Sequence, residues 1–245
     1  MYDCIAGVYD LLMRDVDYVS YAGYIDGILK RYLNNKPDIV LDVGCGTGSL
    51  TCAMRDLGYS MIGAEPSERM LECALKKDTN NIQYINQSME KLDLFGTVGA
   101  AISFLDCINH ITDIKKLQQG FKKVSLFLEP EGLYIFDLNT EYKFENIYAG
   151  NLYYDLSDDV SYVWVNNYSK KTKICTMDIS YFIKNDDGKY KRYDTCNRER
   201  AYSDKQIIEL ANNSGLELID MLEDFSFDKP RRNCQRKFLI FRKKR

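Results

Sequence analysis

Between residues 38 and 139 the apolar positions come in short unbroken runs, separated by stretches where they recur every three or four residues. The runs are "IVLDV" (39–43), "YSMIGA" (59–64), "IQYIN" (82–86), "VGAAISF" (98–104) and "GLYIFDL" (132–138). Each has the length of a strand buried on both faces. Helical spacing fills the gaps at about 48–57, 67–76, 86–92 and 113–128. Strand–helix alternation of this kind predicts an α/β fold with a doubly wound, mostly parallel sheet, because right-handed crossovers lay helices on both faces. Residues 1 to about 34 carry helical spacing throughout and read as helix, ended by "NNKPD".

After Asn139 the period changes to two. "SYVWVNNYS", "KICTMDISYFIK" and "YKRYDTCNRERAY" alternate, and "NDDGK" (185–189) is a hairpin turn. An antiparallel β insert is therefore expected after the fifth strand, laid over one end of the main sheet. "SDKQIIELANNSG" follows as a helix with Ser203 as N-cap and Gly215 as its stop. "LELIDMLEDFSF" and "RKFLIFRKK" then read as a closing hairpin, which brings the main sheet to seven strands.

Composition narrows the class without naming an activity. The 245 residues are 45% apolar and 28% charged, as in ordinary globular proteins, and no stretch approaches the ~18 apolar residues of a membrane span. The N-terminus has acids where an export signal carries Lys or Arg, so a cytoplasmic location is expected. The eight cysteines are scattered with no CxxC and no histidine at ligand spacing, which predicts reduced thiols and no metal site. A net charge of −3 gives no general reason to expect nucleic acid. The one basic stretch is the C-terminal "RRNCQRKFLIFRKKR", read as the solvent face and end of an edge strand.

The chemistry concentrates in "LDVGCGTGSLT" (41–51), where an acid precedes three glycines at every second position. A nucleotide-hydrolase phosphate loop requires a Lys after its glycines, and none is present. A dinucleotide fingerprint requires GxGxxG, but the third place falls on Ser49. Asp42 at the mouth would also repel a pyrophosphate and attract an ammonium or sulfonium. Glu65, at the end of the next strand, stands where an acid accepts both hydroxyls of a ribose. A ligand with adenine, ribose and a cationic amino-acid end fits the pair, and S-adenosylmethionine is such a ligand.

These residues resemble the class I S-adenosylmethionine-dependent methyltransferases. "LDVGCGTGSLT" looks like their first motif and "MIGAEPSERMLECA" like the second, with Glu65 in the ribose place. "YINQSMEKLDL" is similar to the third, "ISFLDCINHI" to the fourth, and "GLYIFDLNT" to the strand after it. The resemblance covers about residues 1–140. More loosely it extends to a subgroup with an antiparallel insert, which includes sugar-amine N-methyltransferases and uncharacterised bacterial proteins. It implies a Rossmann-like domain of residues 1–140 and 201–245, with residues 141–200 as a cover over the acceptor cleft. It also implies a donor site built from Asp42, Gly44, Cys45, Gly46, Gly48, Glu65, Pro66, Met70, Ser88, Met89 and Phe104. Two departures stand out: Ser88 where an Asp is common, and Gly99 where an acid often opens the fourth motif.

For catalysis the candidates are Tyr9, in a segment resembling one that closes over the methyl donor, and His110, the only histidine and a possible base. Each has a plain structural alternative, as a core tyrosine or as a packed histidine. Asp106 and Asn109 share the loop of His110, and Tyr18 and Tyr21 are further N-terminal candidates. Tyr153, Trp164, Arg198 and Arg200 are candidates from the insert. The expected activity is methyl transfer to an N or O atom of a small-molecule acceptor, by a monomer or homodimer. An RNA or protein methyltransferase and a non-catalytic cofactor-sensing module are the alternatives, with an NAD dehydrogenase behind them.

Overall fold

The computed structural model of the chain describes residues 4–78 and 81–244. Strands β1 (Ile39–Val43), β2 (Ser60–Ala64), β3 (Ile82–Ile85), β4 (Val98–Ser103) and β5 (Leu128–Asn139) pair in parallel. Their connections are helices, chiefly Ser49–Asp56, Glu68–Lys77 and Ile114–Phe127. The continuous apolar runs have a simple cause in the packing. On β5, Tyr134 and Phe136 enter one core with Leu41, Val43, Phe121 and Phe241, while Leu133 and Ile135 enter the other with Val40, Ile25, Ile28 and Ile102. Both faces are covered, so most positions are apolar, and the few polar ones, Asp42, Ser103, Asp137 and Asn139, lie towards the carboxyl ends of their strands. Each fully enclosed side chain of these layers contributes roughly 1.5–3 kcal/mol.

Two later strands complete the sheet. The order is β10-β11-β5-β4-β1-β2-β3, with β11 (Arg236–Lys243) antiparallel to both β5 and β10 (Leu216–Glu223). The C-terminal basic stretch is thus an interior strand, not the edge strand its charge pattern indicates. Its four consecutive apolar residues are fully buried, Phe238 and Ile240 in one core and Leu239 and Phe241 in the other, and its cations reach partners at the strand ends. Lys237 pairs with Asp204, Arg236 with Asp137, and Arg242 donates to the Tyr32 carbonyl (2.7 Å). β10 takes the edge instead.

The insert is a separate four-stranded antiparallel sheet in the order β6-β7-β8-β9: Leu152–Leu156, Val160–Ser169, Ile174–Lys184 and Tyr190–Arg200. Its hairpin closes where the turn residues place it, with the Asn185 N–H donating to the Lys189 carbonyl (2.8 Å). The helix Asp204–Asn212 has the expected start, a capping box between Ser203 and Gln206. A helical segment that the apolar pattern does not show joins the two sheets, running from Glu141 through a π turn at Phe144–Tyr148.

The N-terminal helix is broken rather than continuous. A 3-10 turn (Ala6–Val8) and a short helix (Tyr9–Leu12) precede the long helix Tyr18–Tyr32. Asp17 restarts it by accepting from the Ser20 N–H (3.0 Å) and hydroxyl (2.6 Å), a cap that apolar spacing alone conceals. The expected helical residues 1–3 lie outside the described residues. Among the described residues, no helix is long and apolar enough to cross a membrane.

Candidate active site

β1 connects towards β2 on one side of the sheet, while β4 lies on its other side, so the loops after β1 and β4 diverge. A crevice opens at such a switch point. Here it is a cavity of about 300 Å³ lined by Tyr9, Asp42, Gly44, Cys45, Gly46, Glu65, Pro66, Met70, Ser88, Met89, Phe104 and His110, among others. Of the residues expected at the donor site, all but Gly48 are part of the lining; Tyr9, Tyr18 and His110 are part of it too, while Asp106, Asn109 and Tyr21 are not.

The three glycines have three different causes. All are left-handed, with φ of +83°, +55° and +76° at Gly44, Gly46 and Gly48. A Cβ on Gly44 would lie 2.4 Å from the Cys107 sulfur, and one on Gly48 would lie 2.5 Å from the Tyr84 hydroxyl and 3.0 Å from Ala74 Cβ. Those two are excluded by the protein itself. A Cβ on Gly46 meets nothing within 4 Å. Gly46 is the glycine that faces open space, and Gly48 is a packing residue.

Asp42 is enclosed at 2% exposure, and the Thr51 hydroxyl donates to its Oδ2 (2.6 Å). Burial pushes its pKa up to about 7, with Thr51 pulling it down and Glu65 pushing it up. Glu65 is held by two backbone donors: Gly46 N–H to Oε2 (3.1 Å) and Ser67 N–H to Oε1 (3.0 Å). Ser88 and Met89 follow β3. The Met89 sulfur would meet a Cβ on Gly120 at 2.8 Å, which fixes the opposite wall against the helix Ile114–Phe127.

The N-terminal segment roofs this cavity. The Thr47 hydroxyl donates to Asp10 Oδ1 (2.6 Å), Lys77 pairs with Asp10 (2.7 Å), and the Cys73 thiol donates to the Ala6 carbonyl (3.5 Å). Tyr9 and Tyr18 both line the cavity, and burial raises the pKa of each phenol. Tyr21 instead packs edge-on against Phe104.

His110 ends the short helix Cys107–His110. Its Nε2 lies 3.7 Å from Glu199 Oε1 of the insert, and burial lowers its pKa, so the ring is neutral at pH 7. Glu199 is itself enclosed and its pKa is raised by burial, while Asn139 Nδ2 donates to its Oε2 (3.2 Å). Asn109 is wholly buried, donating to the Asn139 and Arg200 carbonyls (3.3 and 2.9 Å), so it is a structural link rather than a cleft residue.

On the insert, strand register separates the candidates. Trp164 is opposite Ile179, which is opposite Thr195, so Trp164 shares a face with Thr195, Asn197 and Glu199. That face packs on Ile5, Val8 and Tyr9. Tyr153, opposite Trp164, is on it too. Arg198 is on the other face and exposed, which corrects its placement in the cleft. Arg200 is engaged by the Thr112 carbonyl (2.8 Å).

Residues 40–132 match the model of a methyltransferase domain family. Over 99% of both chains, the protein is 27% identical to a putative methyltransferase of Geobacillus sp. (strain WCH70). The crystal structure of an S-adenosylmethionine-dependent methyltransferase from Clostridium acetobutylicum, 28% identical, superposes with a TM-score of 0.88 over 100% of this chain and 99% of that one. The protein carries a methyltransferase domain. The methyltransferase also shares its fold with CalS10, an amino pentose methyltransferase from Micromonospora echinaspora (16% identity, TM-score 0.78, 96% of each chain).

Several residues of this methyltransferase's site escape a reading of motifs. Cys107 lines the cavity and donates to the Val43 carbonyl (3.3 Å). Asp137, on β5, is fully buried and pairs with Arg236. Glu199 is an acid within a period-two strand, and the strand register puts it on the inner face.

Proposed function

We propose that this cavity holds S-adenosylmethionine and that the methyl group passes to a small-molecule acceptor lying between the cavity and the insert. The observation that carries the reading is the enclosure of Asp42 and Glu65 around Gly46, the glycine with open space before it. Asp42 answers the ligand's cationic end, Glu65 takes the ribose hydroxyls, and Pro66, Met70, Ser88 and Met89 flank the adenine. Ser88 offers a hydroxyl without charge, so the adenine amino group is held less tightly than by an Asp. Residues 1–140 and 201–245 form the donor-binding part, and residues 141–200 cover the acceptor side.

When bound, the donor supplies a methyl group already activated on sulfur. The chain's residues then need only align the acceptor, exclude water and take up its proton, and alignment alone is worth several kcal/mol. Tyr9 and Phe104 enclose the reacting end. The neutral His110 imidazole can accept a proton from an acceptor nitrogen or hydroxyl. Trp164 Nε1, Thr195 Oγ1 and Asn197 Oδ1, enclosed on the insert's inner face, make no hydrogen bond to the described residues, which favours a compact acceptor rich in polar groups. The amino pentose specificity of the related fold points the same way. An RNA acceptor is disfavoured because Arg231, Arg236 and Lys237 of the basic stretch are committed to Glu223, Asp137 and Asp204.

Turnover of a panel of small amines and polyhydroxy compounds with labelled donor tests this reading. Tyr9→Phe and His110→Ala are expected to bind the donor product normally and to turn over more slowly, with Tyr9→Phe the larger loss. If His110 is the general base, its removal costs roughly 10²- to 10⁴-fold and abolishes the limb of the wild-type profile that rises through the imidazole pKa. Loss of donor-product binding in both variants would place them in the donor site instead.

A further inference from the structure

The loop after β4 forms the cavity floor, contributing Leu105, Cys107 and His110. It makes its turn with two successive non-glycine residues in the left-handed region, Leu105 at φ 57° and Asp106 at φ 66°. L-residues with side chains resist that conformation, and two in a row persist only where the surroundings over-determine them. The determinant is Asp137, fully enclosed on the neighbouring β5. The Leu105 N–H donates to its Oδ2 (3.2 Å) and the Asp106 N–H to its Oδ1 (3.1 Å), so one carboxylate takes both backbone donors of the strained turn. Arg236 of β11 then forks, one nitrogen to Asp137 and the other to Asp106 Oδ1 (2.8 Å).

We infer that Asp137 is a positioning residue for the donor site: with Arg236 behind it, it holds Leu105 and Asp106 in the left-handed turn that presents the cavity floor. Asp137 is not part of the cavity lining, so its effect on the ligand passes through the backbone of the loop. Burial, with the Asp106 carboxylate, pushes its pKa up to about 6, while Arg236 and the Asp106 N–H pull against that rise. The inference rests on the donor reading proposed above.

A double-variant cycle read by calorimetry with S-adenosylhomocysteine separates this role from a merely structural one. Asp137→Asn keeps the shape but loses one full acceptor oxygen and the ion pair, and is expected to weaken binding at least about tenfold. Glycine adopts the left-handed turn without a carboxylate to enforce it. Asp106→Gly alone should therefore weaken binding less than Asp137→Asn, and Asp137→Asn/Asp106→Gly should regain most of the lost affinity. If Asp137→Asn does not fold, recovery of folding and binding in the double variant supports the same conclusion. Equal losses from Asp137→Asn in both backgrounds, or a double variant that neither folds nor binds, would overturn it. A wild-type protein that fails to bind the product would instead refute the donor reading.

Discussion

Replacing Gly46 with valine is expected to abolish binding of the methyl donor while leaving the fold largely intact. The position has φ of +55°, and nothing within 4 Å of a Cβ there. A branched side chain would enter the cavity itself, in front of Asp42 and Glu65, and so displace whatever must approach the backbone closely. Left-handed strain adds a fold cost of about 1–3 kcal/mol, equivalent to a few degrees of melting temperature for a chain of this size. The loss of affinity should exceed about a hundredfold, beyond what that strain explains. Gly48→Ala provides the contrast. Its methyl meets Tyr84 and Ala74, so it should lower the melting temperature and change donor affinity much less. If Gly48→Ala abolished binding and Gly46→Val did not, the assignment of the two glycines would be reversed.

The second large effect is expected at Asp42 and depends on pH. Its folded pKa, pushed up to about 7, lies above the ordinary 3.8, so between those values the folded protein holds a proton that the unfolded chain has released. Its contribution to donor-free stability therefore falls as pH rises from about 4 to about 7. A cationic ligand reverses the preference by favouring the carboxylate. Affinity for the donor should rise with pH to about 7 and then level off, with proton release on binding below that point. Asp42→Asn removes one charge-assisted partner, worth about 1.5–3 kcal/mol, and should bind roughly ten- to a hundredfold more weakly at pH 8. It should also lose the Asp42 part of both pH slopes. Comparing variant with wild type cancels the other titrating groups, Glu199, Asp137 and His110 among them. An unchanged slope in Asp42→Asn would show that this carboxylate does not meet the ligand's charge.

Much of this site is legible because a doubly wound sheet brings strand ends together. Once the runs 39–43, 59–64 and 98–104 are read as neighbouring parallel strands, Asp42, Glu65 and Phe104 must meet at one end of the sheet. What remained hidden is long-range. Asp42 attracts notice as an acid inside an apolar run, yet Asp137 in "GLYIFDL" is the same signal. Its meaning depends on Arg236, which a sequence pattern cannot pair with it across two strands. Arg198 and Glu199 are adjacent in sequence, and only register decides which of them faces the cleft. The three glycines look equivalent as a motif and differ only in what stands opposite each Cβ. The basic C-terminus reads as an edge because its charges are visible in sequence and their partners are not.

Calorimetric titration of the wild-type protein with S-adenosylhomocysteine, alongside NAD and ATP, tests the central claim most directly. The enclosed acids, the missing phosphate-loop lysine and Ser49 in the third fingerprint place predict one site of micromolar-range affinity for the product and no binding of either nucleotide. Tight binding of NAD with no response to S-adenosylhomocysteine would contradict the account.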